Sequence, residues 1–571
     1  MGGILGYNNT GTVSNCRTYA IVDESKKASE GDYKATLMFS PTTIGTINSG
    51  GIVGQNAKGI VESCTNEADV LASCSHTSGG NLRVTGVVGV SSGTIRSCVN
   101  SASVISYASL RTRWVAGLCA ENSGTIADCK NEGKILVGGP DNVGQGNNIA
   151  GLIAYNHSVN ISNLTNDGDV TVEMLAYDNK DMFLRFGGCI GLNSSAIDGK
   201  GLIVNNGDVL WDSKNGTNTT SSADLGGVVG QNSANITGCI NNGKVQFMEH
   251  VADVKGQNIN LGGVVGKVTA ASTISECTNN GAVSFSCGDN SQTGSRSYTG
   301  IYMGGILGYN SAGTITVSNC TNKGTIDGGL RYVRNNGGVK HFGGVVGYLT
   351  GASSTVTGCK SQGAVISRDQ NHTWNDLTGT ITCAGLVGAA VGTEAAPAVI
   401  TNCDVMKADG SSVEVKAYRA NVAGFVGWAK YAQVIGCECN IVSDYDHATC
   451  GGVCAWMESA SAQNCTVNMK HKSVRNYSTG GLVAKLDGNS SLDNCTFTGS
   501  VQCTNAQTSA YYGLLVGDVT SSGAKVTNCK YSGTVQGAGF AELTGDDLNA
   551  FLVGNNIANI TTFTGNTDLS E

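Results

Sequence analysis

Residues 226–245 hold the pattern that decides the fold: Gly-Gly-Val-Val-Gly-Gln-Asn (226–232), Ile-Thr-Gly-Cys (236–239) and Asn-Asn-Gly-Lys-Val (241–245). Each of the three pieces is a short apolar stretch bounded by Gly, Asn or Ser. Such stretches are too short and too rich in β-branched residues for helices, and they are typical of strands between tight turns. We therefore predict three short strands in this unit.

The same unit recurs along nearly the whole chain. A glycine followed by two aliphatic residues, and usually preceded by Gly or Ala, appears in fifteen copies about 36 residues apart. These glycines are Gly3, Gly51, Gly86, Gly117, Gly151, Gly188, Gly227, Gly263, Gly305, Gly344, Gly385, Gly424, Gly452, Gly481 and Gly513. One unit alone cannot cover its apolar face, so neighbouring units must stack.

Stacked units of this kind predict an all-β fold, a parallel β-helix or β-solenoid. We expect about 15 coils of ~36 residues with three short strands per coil over residues 1–535, followed by a capping segment over 536–571. Residues 546–552 of that segment are predicted to form a short helix that covers the last coil. The coil is expected to be right-handed, although the repeat itself does not fix the hand.

The composition agrees with this architecture and excludes others. The chain has 571 residues, with 82 Gly, only 3 Pro and no Gly-X-Y period, so it is not collagen. Glycine suits tight corners, whereas proline would remove a donor from the strand ladder. A net charge of −8 without a dense basic cluster argues against nucleic acid as a partner. The apolar runs are too short for membrane insertion. We expect a monomer.

Asparagine recurs two residues after a repeated cysteine. The seven positions are Asn66, Asn100, Asn131, Asn166, Asn241, Asn279 and Asn322. Asparagine side chains that stack in register can hydrogen-bond from coil to coil. We predict a structural ladder at this corner of the coil and no catalytic role for it.

Thirteen of the 22 cysteines occupy one position of the repeat. They are Cys16, Cys64, Cys98, Cys129, Cys239, Cys277, Cys320, Cys359, Cys403, Cys437, Cys465, Cys495 and Cys529. Leu164 and Ile203 replace the cysteine in two copies, which indicates an inward, apolar position. We predict a buried stack of free thiols. A disulfide framework is the alternative, because stacked strands bring Cα atoms within disulfide range. No zinc-ligand spacing is present, and no metal is expected.

The repeats resemble the GLUG motif of bacterial cell-surface proteins. The residues that carry the resemblance are Gly-Gly-Ile-Val-Gly-Gln-Asn (50–56) with Gly-Ile-Val-Glu-Ser-Cys (59–64), and Gly-Gly-Ile-Leu-Gly-Tyr-Asn (304–310) with Ser-Asn-Cys (318–320). The resemblance covers roughly residues 2–535. It implies a secreted or surface-attached β-helix, often in adhesin-like proteins, although no signal peptide precedes Gly2. No catalytic residue and no cofactor belong to this motif, so we expect a protein without enzymatic activity.

Segments of variable length between the repeats carry many large side chains. Those expected to bind a ligand are Arg111, Trp114, Trp211, Arg331, Tyr332, Arg334, Arg368, His372 and Trp374. Aromatic and Arg residues are common at binding hot spots, and insertions in solenoids collect on one face. The expected partner is a host or environmental glycan or protein. Alternatively, these side chains cover the core.

Two further functions stay open at this point. A carbohydrate-active β-helix enzyme, a polysaccharide lyase or hydrolase, would need paired carboxylates or a Lys, Arg and His group on one face. A phage fibre component would form a trimer. Because nothing that could cap the first coil precedes Gly2, we expect further residues N-terminal to it in the natural protein.

Overall fold

A computed structural model describes most of the chain. The described residues are 1–19, 36–39, 45–73, 81–107, 112–138, 146–173, 183–198, 202–213, 222–250, 254–287, 296–329, 338–367, 381–418, 420–444, 448–473, 476–503, 511–536, 552–555 and 560–569. They form two compact units. Unit 1 consists of Met1–Lys267 and Ser286–Thr299, and unit 2 consists of Val268–Phe285 and Gly300–Glu571.

Each coil contains up to five short strands, which we number one to five in chain order. In the described part of unit 1, strand one is Ile47–Gly50, Asn81–Thr85, Thr112–Ala116, Gly146–Ala150, Phe183–Gly187, Ser222–Gly226 and Val254–Gly262. Strand two is Leu5–Asn8, Val53–Asn56, Val88–Ser91, Cys119–Asn122, Ile153–Asn156, Ile190–Asn193 and Val229–Asn232. Strands three to five are Thr12–Ser14, Arg17–Thr18, Thr36–Phe39, Ile60–Glu62, Thr65–Asn66, Asp69–Ala72, Thr94–Arg96, Val99–Asn100, Val104–Ser106, Thr125–Asn131, Ile135–Val137, Ile161–Asn166, Val170–Glu173, Ile197–Asp198, Ile203–Asn205, Val209–Ser213, Ile236–Thr237, Ile240–Asn241 and Val245–Glu249.

Unit 2 repeats the arrangement. Strand one is Val339–Gly343, Ile381–Ala384, Asn421–Ala423, Ala448–Gly451, Asn476–Gly480 and Tyr511–Gly513, and strand two is Leu307–Asn310, Val346–Thr350, Val387–Val391, Val426–Lys430, Cys454–Glu458, Val483–Asp487, Val516–Val519 and Val553–Asn555. Strands three to five are Ser272–Ser275, Thr278–Asn279, Ile315–Ser318, Thr321–Asn322, Ile326–Gly329, Thr355–Thr357, Lys360–Ser361, Val365–Ser367, Ala398–Thr401, Asp404–Val405, Val413–Ala417, Ala432–Ile435, Glu438–Asp444, Ser461–Gln463, Thr466–Ser473, Ser491–Asp493, Thr496–Cys503, Ala524–Thr527, Lys530–Gln536, Ile560–Thr564 and Thr567–Asp568. The strands Val265–Val268, Val283–Cys287 and Arg296–Gly304 contain the boundaries between the units.

Each strand pairs in parallel with the same strand of the next coil, which confirms the predicted all-β parallel β-helix. Val88 of strand two, for example, pairs with Val53 on one side and Cys119 on the other. All three side chains are fully buried. Branched and other apolar side chains therefore stack along the coils and form the core that one unit alone could not build.

The predicted asparagine ladder is confirmed. In unit 1, Asn100 donates to Asn131 and Asn131 donates to Asn166, each at 2.7 Å. The ladder continues through Asn205, which the sequence pattern had not included, to Asn241. In unit 2, Asn279 donates to Asn322 at 2.8 Å, and Ser361, Val405, Cys439, Val467 and Phe497 then occupy the position.

The second glycine of the motif is explained by this ladder. A Cβ at Gly227 would overlap the side chain of Asn241, and a Cβ at Gly452 would overlap that of Val467.

The residue types at the corner before strand four are explained by the backbone conformation. Residues directly before the repeated cysteine have positive φ, for example Asn15 at 54° and Gly238 at 72°. Asn and Gly tolerate this region best, which accounts for their frequency there.

The structure differs from the sequence prediction in two places. The segment before each double glycine is a fifth strand, strand one, and not an irregular insertion throughout. Gly513 was predicted to be the second glycine of its copy of the motif, but it pairs with Gly480, which is the first glycine of the preceding copy. Leu514 therefore takes the place of the second glycine in this coil. The same register continues in strand two, where Val516 pairs with Val483. Beyond residue 535, the three strands at 553–568 still pair with the preceding coil.

The predicted helix at 546–552 lies outside the described residues except for Leu552. In the described part of the chain no segment is helical, and hence none is a helix able to cross a membrane.

Candidate functional site

In each unit, side chains of strand one contact side chains of strand two, as Trp114 contacts Tyr155 and Tyr302 contacts Tyr309. We call the surface that these two strands share the groove. A Cβ at Gly230 of strand two would lie 2.6 Å from the backbone nitrogen of Phe186 in strand one. In unit 2, a Cβ at Gly347 would lie 2.6 Å from the nitrogen of Met303. Gly230 and Gly347 are the third glycine of their copies of the motif, and this glycine is replaced only by Ala in the other copies. A larger side chain would overlap the backbone of strand one, so this glycine lets the two strands approach each other. The residue after it faces the groove.

Aromatic side chains line the groove of unit 2. Tyr309 and Tyr348 occupy this position on successive coils, with ring centroids 5.6 Å apart and planes within 9°. Tyr302, from strand one, stacks on Tyr309 with centroids 4.6 Å apart. Farther on, Trp428 and Trp456 lie 6.1 Å apart. We call Tyr309, Tyr348, Trp428 and Trp456 the aromatic row; all four are half-buried.

A buried histidine supports this row from behind. The ring of His341 lies 4.8 Å from that of Tyr348 and 6.4 Å from that of Trp428. Its Nδ1 hydrogen-bonds with the Thr382 hydroxyl at 2.9 Å. Burial, reinforced by the charge of Lys340, lowers the pKa of His341 to about 3. The ring is therefore neutral at physiological pH.

The phenols of the row are neutral as well. Burial raises the pKa of Tyr302, Tyr309 and Tyr348 above the ordinary value for tyrosine. A cation lies beside the row, since the Lys485 ammonium is 5.3 Å from the Trp456 ring centroid. The groove of unit 2 is thus mainly an uncharged aromatic surface with hydroxyl groups.

The groove of unit 1 carries charges instead. Arg83 forms an ion pair with Glu121 at 2.6 Å, and its guanidinium lies 4.4 Å from the centroid of Trp114. Trp114 meets Tyr155 edge to face at 5.6 Å. The ring of Tyr155 contacts that of His157 in a tilted arrangement, with centroids 3.7 Å apart, and His157 Nε2 lies 3.5 Å from a Glu121 oxygen. Five residues of different chemistry thereby form one connected cluster, which we call the charged cluster.

A second charged pair lies in the same groove. Asp224 accepts a hydrogen bond of 2.6 Å from Asn260, and burial raises its carboxyl pKa despite the nearby cations Lys267 and Arg185. Burial lowers the pKa of the Arg185 guanidinium, although it stays protonated at neutral pH. Arg185 and Asp224 pair in register on adjacent strands, which brings side chains of opposite charge near each other.

The structure describes two of the residues predicted to bind a ligand. Trp114 lies in the groove, as part of the charged cluster. Trp211 does not, which corrects the prediction: it is 2% exposed and stacks between Phe186 and Phe247, with centroid distances of 5.7 and 5.4 Å. Trp211 points inward because it pairs in register with buried Val172. The other candidates, Arg111, Arg331, Tyr332, Arg334, Arg368, His372 and Trp374, lie outside the described residues.

Sequence reasoning missed the groove residues on strand two. They can be recognised in the sequence because each follows the third Gly or Ala of the motif. An aromatic residue occupies this place at Tyr155, Tyr309, Tyr348, Trp428 and Trp456. The motif is defined by the residues that recur in every coil. The groove contains a position whose residue type varies between coils, so the motif does not reveal it.

The thirteen repeated cysteines are free thiols in this structure, and all but Cys16 are buried. Leu164 pairs in register with Cys129 and with Ile203, so the replacing residues occupy the same place in the core. Hydrogen bonding to Cys129 and burial raise the pKa of the Cys98 thiol to about 12. Cys98 is therefore protonated at neutral pH and packs as an apolar core residue.

No group of three or more His, Cys, Asp or Glu side chains within the described ranges is placed to hold a metal ion.

Comparison with known proteins identifies the repeat. Residues 475–502 match the family model of the GLUG motif. No curated protein and no solved structure matches the chain. The matched segment includes strand one at Asn476–Gly480, strand two at Val483–Asp487 and most of Thr496–Cys503, which is nearly one coil. The chain is a repeat protein that contains the GLUG motif and folds as a parallel β-helix.

Proposed function

We propose that this protein is a non-enzymatic, adhesin-like stalk or binding module, secreted or attached to the bacterial cell surface, and that it binds a glycan in the groove of unit 2. The aromatic row is the observation that carries the proposal. Tyr and Trp combine a large apolar surface with a polar tip, which suits a ligand that alternates C–H faces with hydroxyl groups. A row that extends over several coils matches a chain of linked sugars.

The charge of the groove supports a glycan over a protein partner. Protein hot spots favour Arg together with Tyr and Trp. The aromatic row consists of neutral rings, and in the part of the chain that the structure describes the Lys485 ammonium lies beside one of them, Trp456. The rings are also held in place before any ligand arrives, because each one contacts another ring or His341. Such preorganisation lowers the entropic cost of binding.

The proposal is tested with the double variant Trp428→Ala/Trp456→Ala. Tyr7→Ala is the matched control, because Tyr7 holds the same motif position in unit 1 and is 56% exposed. Glycan-array screening followed by calorimetry should show binding by the unaltered protein, at least about tenfold weaker binding by the double variant, and no change in the control. Absence of any glycan ligand, or full binding by a folded double variant, contradicts the proposal.

The charged cluster of unit 1 favours a second candidate, a polysaccharide lyase or hydrolase. Arg83, Glu121, Tyr155 and His157 bring a cation, a carboxylate and two proton-transfer groups onto one face, which such chemistry requires. Incubation with uronate-containing and neutral polysaccharides, followed by chromatography of the products, tests it. Product release that Glu121→Gln abolishes would establish an enzyme, and intact polymers throughout would leave the binding module.

A further inference from the structure

A cleft in unit 2 lies at the corner between strands two and three and shares no residue with the groove. Its volume is about 380 Å³, within the range of small-molecule sites. Tyr431 forms one wall, and Glu394, Gln433 and Asn489 contribute polar groups. We call it the corner pocket.

The backbone at Tyr431 is unusual for so large a residue. Its φ is 47°, in the left-handed region. Because Lys430 pairs with Val391 and with Glu458, the residues equivalent to Tyr431 in the adjacent coils are Gly392 and Ser459. Small residues suit this corner, and a bulky side chain there is a conformational outlier. The requirements of the coil therefore do not explain the tyrosine, whose ring forms the wall of the pocket.

The polar groups of the pocket are not used by the fold. The side chains of Glu394, Gln433 and Asn489 make no hydrogen bond or ion pair with any part of the chain that the structure describes. At the next corner, by contrast, Asp487 bonds with Ser521 and with the backbone of Gly488. A carboxylate and two amides thus remain free to pair with a ligand.

The far wall of the pocket is preformed. Residues 392–397 make a loop in which the nitrogen of Thr393 donates to the Ala396 oxygen and the Ala396 nitrogen donates back, at 3.1 and 3.2 Å. The Thr393 hydroxyl accepts a further bond from the Ala396 nitrogen. Glu394 lies on this loop, so its backbone is in place before a ligand arrives.

We propose that the corner pocket binds a single sugar residue. An aromatic wall can pack against the C–H face of a pyranose ring, and a carboxylate with two amides can pair with neighbouring hydroxyls. A cationic ligand fits less well, because Lys430 already lies 5.8 Å from the Tyr431 ring and pairs with Glu458. The pocket is separate from the aromatic row, so it adds a second binding site to the molecule.

The key variant is Tyr431→Gly, which removes the ring and keeps a residue suited to positive φ. Asn402→Gly is the control, because Asn402 also has positive φ, 52°, at a corner in unit 2 and does not line the pocket. Glu394→Gln removes the charge while preserving the shape of the loop. Thermal melting should show that Tyr431→Gly is no less stable than the unaltered protein, since the backbone outlier is relieved.

Binding is measured by saturation-transfer NMR and calorimetry with glucose, galactose, mannose and N-acetylglucosamine. We expect at least one of these sugars to bind, with at least about tenfold weaker affinity in Tyr431→Gly and Glu394→Gln and unchanged affinity in Asn402→Gly. The Trp428→Ala/Trp456→Ala variant should retain this binding, which separates the pocket from the groove. No binding by the unaltered protein, or equal binding by Tyr431→Gly, overturns the proposal.

Discussion

Asn131 offers the sharpest test of how the coils hold together. Its side chain is fully buried in the asparagine ladder of unit 1. The Asn131 amide donates to Asn166 Oδ1 at 2.7 Å and to the Gly133 carbonyl at 2.8 Å, and its oxygen accepts from Asn100 at 2.7 Å. Asn131→Ala removes all three bonds and leaves three polar partners behind.

The expected cost follows from those partners. A buried polar group without a partner costs about 1–3 kcal/mol, so three of them together should destabilise unit 1 by about 3–9 kcal/mol. A water molecule that enters the vacated space would bring the cost toward the lower end of this range. By comparison, the whole free energy of unfolding of a domain is about 5–15 kcal/mol.

Asn206→Ala is the matched control. Asn206 also belongs to a row of stacked amides, since it donates to Asp167 at 2.6 Å and accepts from Asn242 at 2.7 Å, but it is exposed. Water replaces these bonds, so we expect a cost below about 1 kcal/mol. Urea unfolding followed by circular dichroism, with hydrogen exchange to locate the weakened coils, measures both. Costs that agree within about 0.5 kcal/mol would refute the role of the ladder.

Three other predictions address the glycines, the buried histidine and the thiols. Gly227→Ala should destabilise the protein by more than about 2 kcal/mol, because its Cβ overlaps the ladder, whereas Gly146→Ala, whose Cβ meets no atom, should change the melting temperature little. The pKa of His341 is depressed from 6.5 to about 3, so the unfolded state binds the extra proton and folding stability should fall as pH drops from about 6.5 toward 3. The loss is at most about 1.4 kcal/mol per pH unit, and melting curves should show a shallower pH dependence in His341→Asn. Alkylation at pH 8 followed by mass spectrometry should label Cys16 before the other twelve stacked cysteines, and extensive early labelling of those twelve would contradict a buried stack.

The sequence predicts the parts of the fold that recur. Residues that face the core or the ladder must fit the coil above and below, so the same types return at the same positions and reveal the coil. Strand one was not predicted, because its segments do not repeat the same residue types at the same positions. Its segments include Asn-Leu-Arg-Val-Thr (81–85) and Gly-Asn-Asn-Ile-Ala (146–150), and only parallel pairing through Arg113 and its neighbours shows that they are equivalent.

Trp114 and Trp211 show why the site was only partly predictable. Both lie in apolar stretches that flank a variable segment, and nothing in their types separates them. Trp211 follows Val209 by two residues, so the alternation of strand five turns both inward. Trp114 is the neighbour of Val115 in its strand, and neighbouring residues of a strand point to opposite faces. Since Val115 is fully buried, Trp114 turns outward. The direction of each side chain depends on the register of its strand, which the repeat pattern had not located.

The position of the candidate sites follows from the energetics of stacked coils. Stability in a solenoid is a sum of contacts within each coil and between neighbours, and those contacts involve the core, the ladder and the corners. The groove position and the corner at Tyr431 contribute little to that sum, so their residues can differ from coil to coil without loss of the fold. Unit 1 places Arg83 and Glu121 where unit 2 places aromatic rings, on the same backbone. Binding sites in this protein are therefore to be sought where the repeat ceases to dictate the residue.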